Sequence, residues 1–171
     1  MDESRFGLKT IRRRRITLKG CKPLMPIQDQ FENTYLFGAF APASGSAVYW
    51  ELPFLNAETF AAFLREFAAD EQTQATYNVL LVDNAAAHHA RSITIPSDVA
   101  LIFLPPYSPE RSPAERVWEY IKDRLAGKLF DSLDALSLGI EQVIKSIPQD
   151  VIASLTSPDW LMEIINAQLS I

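Results

Sequence analysis

The sequence predicts an α/β fold, a mixed sheet covered by helices. Three observations lead there. Two aromatic, apolar runs early in the chain are separated by turn formers. Two short, fully apolar runs in the middle stop at Asp83-Asn84 and at Pro105-Pro106. The last third repeats apolar residues at helical spacing.

Residues 1–30 hold Arg5, Lys9, Arg12, Arg13, Arg14, Arg15, Lys19 and Lys22 and few large apolar groups. Pro23 and Pro26 interrupt regular structure, so this stretch reads as an extended, partly looped segment. Residues 34–40 and 47–52 flank Ala41-Pro-Ala-Ser-Gly-Ser46 and read as a hairpin. Asn56 is placed to cap a helix carrying Phe60, Phe63, Leu64 and Phe67 on one face. Residues 78–82 and 99–104 suit parallel strands covered on both faces. A short helix over about 85–93 would cross between them. Three helices follow. The first starts at Pro113, and the second turns Leu133, Leu136, Ile140, Val143, Ile144 and Ile147 inward. The third starts near Pro158 with Leu161, Ile164, Ile165 and Leu169 inward.

The 171 residues are 48% apolar and 22% charged, enough for one domain with a buried core. A single cysteine, Cys21, excludes an internal disulfide framework and a zinc site built on several thiolates. No apolar run reaches the length of a membrane span, and Met1 to Arg5 has no signal-peptide core. A cytoplasmic protein without a membrane partner is therefore expected. The net charge of -5 argues mildly against a nucleic-acid partner until it is divided. Residues 1–22 hold 8 basic and 2 acidic side chains, and the remainder hold 8 and 19. Arg12 to Arg15 and Lys19 form one concentrated basic segment, suited to phosphates or to a solvated loop.

Three acids stand out. Asp83 ends a buried strand, where ligand sites form in such sheets. Glu115 lies in the first turn of a helix, and Asp2 opens the chain beside Glu3. Carboxylates brought together this way suit divalent cations and phosphoryl transfer. Each has a plainer reading too. Ser112-Pro113-Ala114-Glu115 spells a capping box, Asp83-Asn84 a strand-to-helix turn, and Asp2 a terminal charge. His88 and His89 could face the site or cap the short helix. Tyr107 and Trp118 read as packing residues.

Taken together, the motifs narrow the choice. The stretches Asp2-Glu-Ser-Arg-Phe-Gly7, Leu81-Val-Asp-Asn-Ala-Ala-Ala-His88, Phe103-Leu-Pro-Pro-Tyr-Ser-Pro-Glu110 and Ser112-Pro-Ala-Glu-Arg-Val-Trp118 resemble the catalytic half of DDE-superfamily transposases. The resemblance is to bacterial insertion-sequence transposases related to the mariner group, and it covers roughly residues 2 to 128. It implies a ribonuclease H-like fold with a mixed five-stranded sheet, the first strand shortened because Met1 directly precedes Asp2. It implies that Asp2, Asp83 and Glu115 are catalytic and bind two Mg2+ ions, which Mn2+ can replace. Glu3, Asn84 and His88 would orient those ligands. The implied partners are transposon-end and target DNA, with a homodimer in the DNA complex. The family's N-terminal helix-turn-helix region has no counterpart here. The chain is thus expected to be one catalytic domain, residues 1–171, and a fragment or split frame of a longer transposase. The rival readings are a non-catalytic DNA-binding or regulatory remnant, and a ribonuclease H-like nuclease without joining activity.

Overall fold

The computed structural model describes residues 1–14, 16–22, 24–74, 76–105 and 112–169, with residues 168 and 169 by backbone alone. The readings placed on Arg15, Pro23, Pro106, Tyr107 and the Leu169 side chain lie outside the described residues.

Among the described residues five strands are formed: β1 (Asp2–Lys9), β2 (Asp29–Phe40), β3 (Ala47–Leu52), β4 (Asn78–Val82) and β5 (Val99–Phe103). They are hydrogen-bonded as two ladders, β1-β2-β3 antiparallel and β4-β5 parallel. The described strands of the two ladders meet where the Met1 amine donates to the Leu81 carbonyl at 2.9 Å. In register, Asp2 lies opposite Gly38 and Gly38 opposite Tyr49, while Val79 lies opposite Ala100.

Among the described residues five helices are formed: α1 (Ala57–Ala69), α2 (Ala114–Leu125), α3 (Leu133–Lys145), α4 (Gln149–Thr156) and α5 (Asp159–Leu169). Side chains alternate across a strand, so β1 and β2 feed two cores. Phe6, Leu8 and Leu36 pack with Val117, Trp118, Ile121 and Leu136 of α2 and α3. Phe37 and Ala39 face the other way, against Phe60, Phe63, Leu64 and Phe67 of α1 and Leu80 and Val82 of β4. The layers are therefore α1 on one side of the sheet and α2 to α4 on the other.

The hairpin forms as expected, and Asn56 caps α1 in a reciprocal capping box with Thr59. Several expectations are corrected. Residues 2–9 are a paired strand, with a register shift between Gly7 and Lys9, and not only an extended segment, because Phe6 and Leu8 bury on the helical face at period two. β2 begins at Asp29, before the apolar run, since backbone pairing with β1 needs no apolar side chain. The crossover helix shrinks to one 3-10 turn, Ala86–His89. The parallel strands are covered on one face only, with Val79 and Ile102 about half exposed. A separate short helix, α4, starts after Pro148, which suits a first helical turn by its missing N–H. Ile164 of α5 is exposed, whereas Leu161 is buried. None of the described helices is long and apolar enough to cross a membrane.

Candidate active site

Asp2 and Glu3 are neighbours in β1 and therefore point to opposite sheet faces. Asp2 turns toward α2. Its Oδ2 accepts from the Trp118 indole Nε1 at 3.1 Å and from the Ser112 hydroxyl at 3.4 Å. Its Oδ1 accepts from the Glu3 backbone N–H at 2.9 Å. Burial, reinforced by the charge of Glu3, raises its pKa from 3.8 to about 6, against the opposing pull of its hydrogen bonds and the Met1 amine. Burial lowers the pKa of that amine.

Glu3 turns toward α1 and is almost fully enclosed, its side chain 3% exposed. Its Oε1 sits 3.0 Å from His88 Nε2. The other ring nitrogen, Nδ1, is 2.8 Å from Asp83 Oδ1 and 3.2 Å from the Asp83 carbonyl. Phe60 packs on the imidazole at 4.3 Å between ring centres. Burial opposes the charged ring, but Glu3 and Asp83, by hydrogen bond and by charge, outweigh it and raise the His88 pKa above 6.5.

Asp83 itself is half exposed just beyond β4. Its Oδ1 also accepts from the Ala85 N–H at 2.9 Å, which turns the chain into the 3-10 turn. Asn84 donates to the Leu104 carbonyl at the end of β5 and accepts His89 Nε2 at 3.1 Å, so it ties the two parallel strand ends together. His89 stacks on Phe103.

Glu115 is exposed in the first turn of α2. The capping box, the plainer of the two readings of this stretch, is not made. Pro113 occupies the cap position without a side-chain bond, and Ser112 points its hydroxyl at Asp2 instead. The contacts to Asp2 that sequence reasoning missed are thus those of Ser112 and Trp118. The available signal was the indole N–H, which needs a partner once its ring is buried.

Among the described residues, no three His, Cys, Asp or Glu side chains converge as a ready metal cage. The donor chemistry nonetheless fits a hard cation, since three carboxylates sit on adjoining element ends. Asp83 Oδ2 and the Glu115 carboxylate have no hydrogen-bond partner among those residues, and the enclosed Asp2 carboxyl carries charge that a cation would relieve.

The basic segment between β1 and β2 is exposed at Arg12, Arg14 and Lys19. Arg13 is drawn onto α2, where Nε bonds the Asp123 carboxylate and Nη2 lies 3.8 Å from Glu119. Ile16, Leu18 and Leu24 are also exposed in this segment.

The profile of the family described as DDE superfamily endonuclease matches residues 1–137. The uncharacterized protein y4pE/y4sA of Sinorhizobium fredii (strain NBRC 101917 / NGR234) is 34% identical over 101 residues, 58% of this chain and 74% of the relative. Among solved structures, the chain superposes on the Mos1 strand transfer complex with a TM-score of 0.71 at 18% identity, over 91% of this chain and 49% of the other. On the Mos1 mariner paired end complex with Mn the TM-score is 0.69 at 18% identity, over 91% and 50%. The chain thus spans about half the length of these structural relatives, and the match establishes the ribonuclease H-like fold.

Proposed function

Because the chain belongs to the DDE superfamily endonucleases, we propose that it is the catalytic domain of a transposase, cutting DNA phosphodiesters and joining the freed ends to target DNA. Asp2, Asp83 and Glu115 would hold two divalent cations, Mg2+ or Mn2+. When bound, the cations supply Lewis acidity, which lowers the pKa of the attacking hydroxyl and neutralises charge on the scissile phosphate. The protein supplies orientation. Glu3 buttresses His88, and His88 holds Asp83 from behind. Asn84 keeps the loop bearing Asp83 registered on β5. Arg12, Arg14, Arg15 and Lys19 engage DNA phosphates, with Arg13 anchoring their segment to α2.

The observation that carries this reading is the Met1–Leu81 seam, which sets the strand bearing Asp2 beside the strand that ends at Asp83. Mg2+ is commonly held by one or two carboxylates, with waters and substrate phosphates completing its shell. The full transposition reaction, its DNA ends and its dimeric complex belong to this same proposal.

The test is nicking of supercoiled plasmid with Mg2+ or Mn2+. Wild-type chain should nick, and Asp83→Asn should lose about a thousandfold or more, the several kcal/mol that cation stabilisation contributes. Equal activity in the two would overturn the mechanism. A pre-cut 3′-hydroxyl end joined to plasmid separates a transposase from a nuclease that only cuts.

A further inference from the structure

We infer that Trp118 is a positioning residue, and that Gly38 is the notch that lets it work: the indole N–H holds the Asp2 carboxylate in the orientation needed to bind a cation. This deepens the proposal above and rests on Asp2 being a metal ligand.

Trp118 is fully buried on α2, one turn beyond Glu115. A buried indole contributes apolar area from its ring and needs an acceptor for its one donor. Here the acceptor is Asp2 Oδ2, at 3.1 Å. A hydrogen bond to an ionised carboxylate is stronger than one between neutral groups. Phe40 and Tyr49 meet the ring edge-on, at 5.4 and 6.4 Å between centres, and restrict its rotation.

The partner strand is shaped for this contact. The residue of β2 directly opposite Asp2 is Gly38. A Cβ at that position would stand 2.6 Å from Cη2 of Trp118 and 2.8 Å from the Phe40 ring. Glycine inside a strand weakens it and often marks a close approach. Here the close approach is by the indole that reaches across to Asp2. The same helix turn thereby links two of the three acids. Glu115 and Trp118 are three residues apart on α2, so the bond that orients Asp2 also locates the helix that presents Glu115.

The experiment is Mn2+ binding by electron paramagnetic resonance, alongside urea unfolding, for wild type, Trp118→Phe, Gly38→Ala and Phe67→Leu. Trp118→Phe keeps an aromatic ring but loses the donor. Gly38→Ala keeps the donor and displaces the ring. Phe67→Leu perturbs the opposite core and touches none of the acids. The first two should each weaken Mn2+ binding by about 10–100-fold, the usual cost of losing a group that orients a ligand. Phe67→Leu should lower the unfolding midpoint without changing Mn2+ affinity. In metal-free protein, the Trp118 indole resonance in 15N NMR should shift on Asp2→Asn, a readout that needs no folded Trp118 variant. Wild-type Mn2+ affinity in Trp118→Phe, or an indole resonance indifferent to Asp2→Asn, would overturn the inference while leaving the metal reading intact. Failure of the wild-type chain to bind Mn2+ would instead remove the metal reading on which it stands.

Discussion

The two faces of β1 treat neighbouring acids differently. On the α2 face, Asp2 is held by neutral donors, an indole and a hydroxyl, beside a wall of aromatic rings. On the α1 face, Glu3 is held by an imidazole whose charge is stabilised by two carboxylates. The first arrangement leaves a carboxylate with its charge largely uncompensated, its pKa raised to about 6. The second compensates the buried charge and passes the constraint on to Asp83, which stays half exposed. One face leaves its acid with an uncompensated charge, and the other pairs its acid with a histidine. The lesson is that consecutive acids in a strand are not interchangeable, because period two sends each to a separate environment.

The largest expected effect tests the α1 face. His88→Ala leaves Glu3 enclosed without its partner and removes the ring from Phe60. Breaking a buried pair on one side costs about 3–5 kcal/mol. Urea unfolding should show a loss of that order, and a loss below about 1 kcal/mol would mean that the pair is not structural. Restoring neutrality with Glu3→Gln in the same variant should recover part of it.

The next effect tests the α2 face by pH. The folded pKa of Asp2, about 6, lies above its unfolded value of 3.8, so the folded state holds this proton more tightly. The stabilising effect of that proton is complete below about pH 4 and is lost as pH rises through about 6. Asp2→Asn cannot lose it. The difference in stability between Asp2→Asn and wild type should therefore shift in favour of the variant between pH 4 and 6, by up to about 3 kcal/mol at 1.36 kcal/mol per unit. A difference that is flat with pH would show that Asp2 is not destabilised by its surroundings.

The smallest effects concern the basic segment tied to the α2 face. Arg13→Ala removes exposed ion pairs with Asp123 and Glu119 and should cost no more than about 1 kcal/mol. In DNA binding, replacing Arg12 and Arg14 by Ala should lower the salt slope by roughly 1 for each lost phosphate contact. Arg13→Ala should lower it less, because its charge is already shared with two carboxylates. An unchanged slope with Arg12 and Arg14 both replaced would place the phosphate contacts elsewhere.

Much of this was legible beforehand. The helix of Phe60, Phe63, Leu64 and Phe67 and its Asn56 cap follow from spacing and local chemistry, which the structure repeats. The hairpin and the parallel pair follow from apolar runs and their breakers. β1 was only half legible, since its buried residues Phe6 and Leu8 are diluted by charges that face solvent. Ser112 was misread because the capping box is a local pattern, whereas its hydroxyl answers to a carboxylate 110 residues away. Glu3 and His88 could be named from their motifs, but not their partnership, which spans 85 residues.

The sequence by itself determined most of the helices and strands, which acids lie at their ends, and the family to which those motifs belong. These are properties of short windows, where periodicity, capping and chain-breaking residues act. Only the tertiary structure decided how each acid is held: Asp2 by an indole admitted over Gly38, and Asp83 by a histidine braced on Glu3. Those contacts depend on which strands lie side by side and on which face each side chain emerges, and both are settled by packing between segments far apart in the chain.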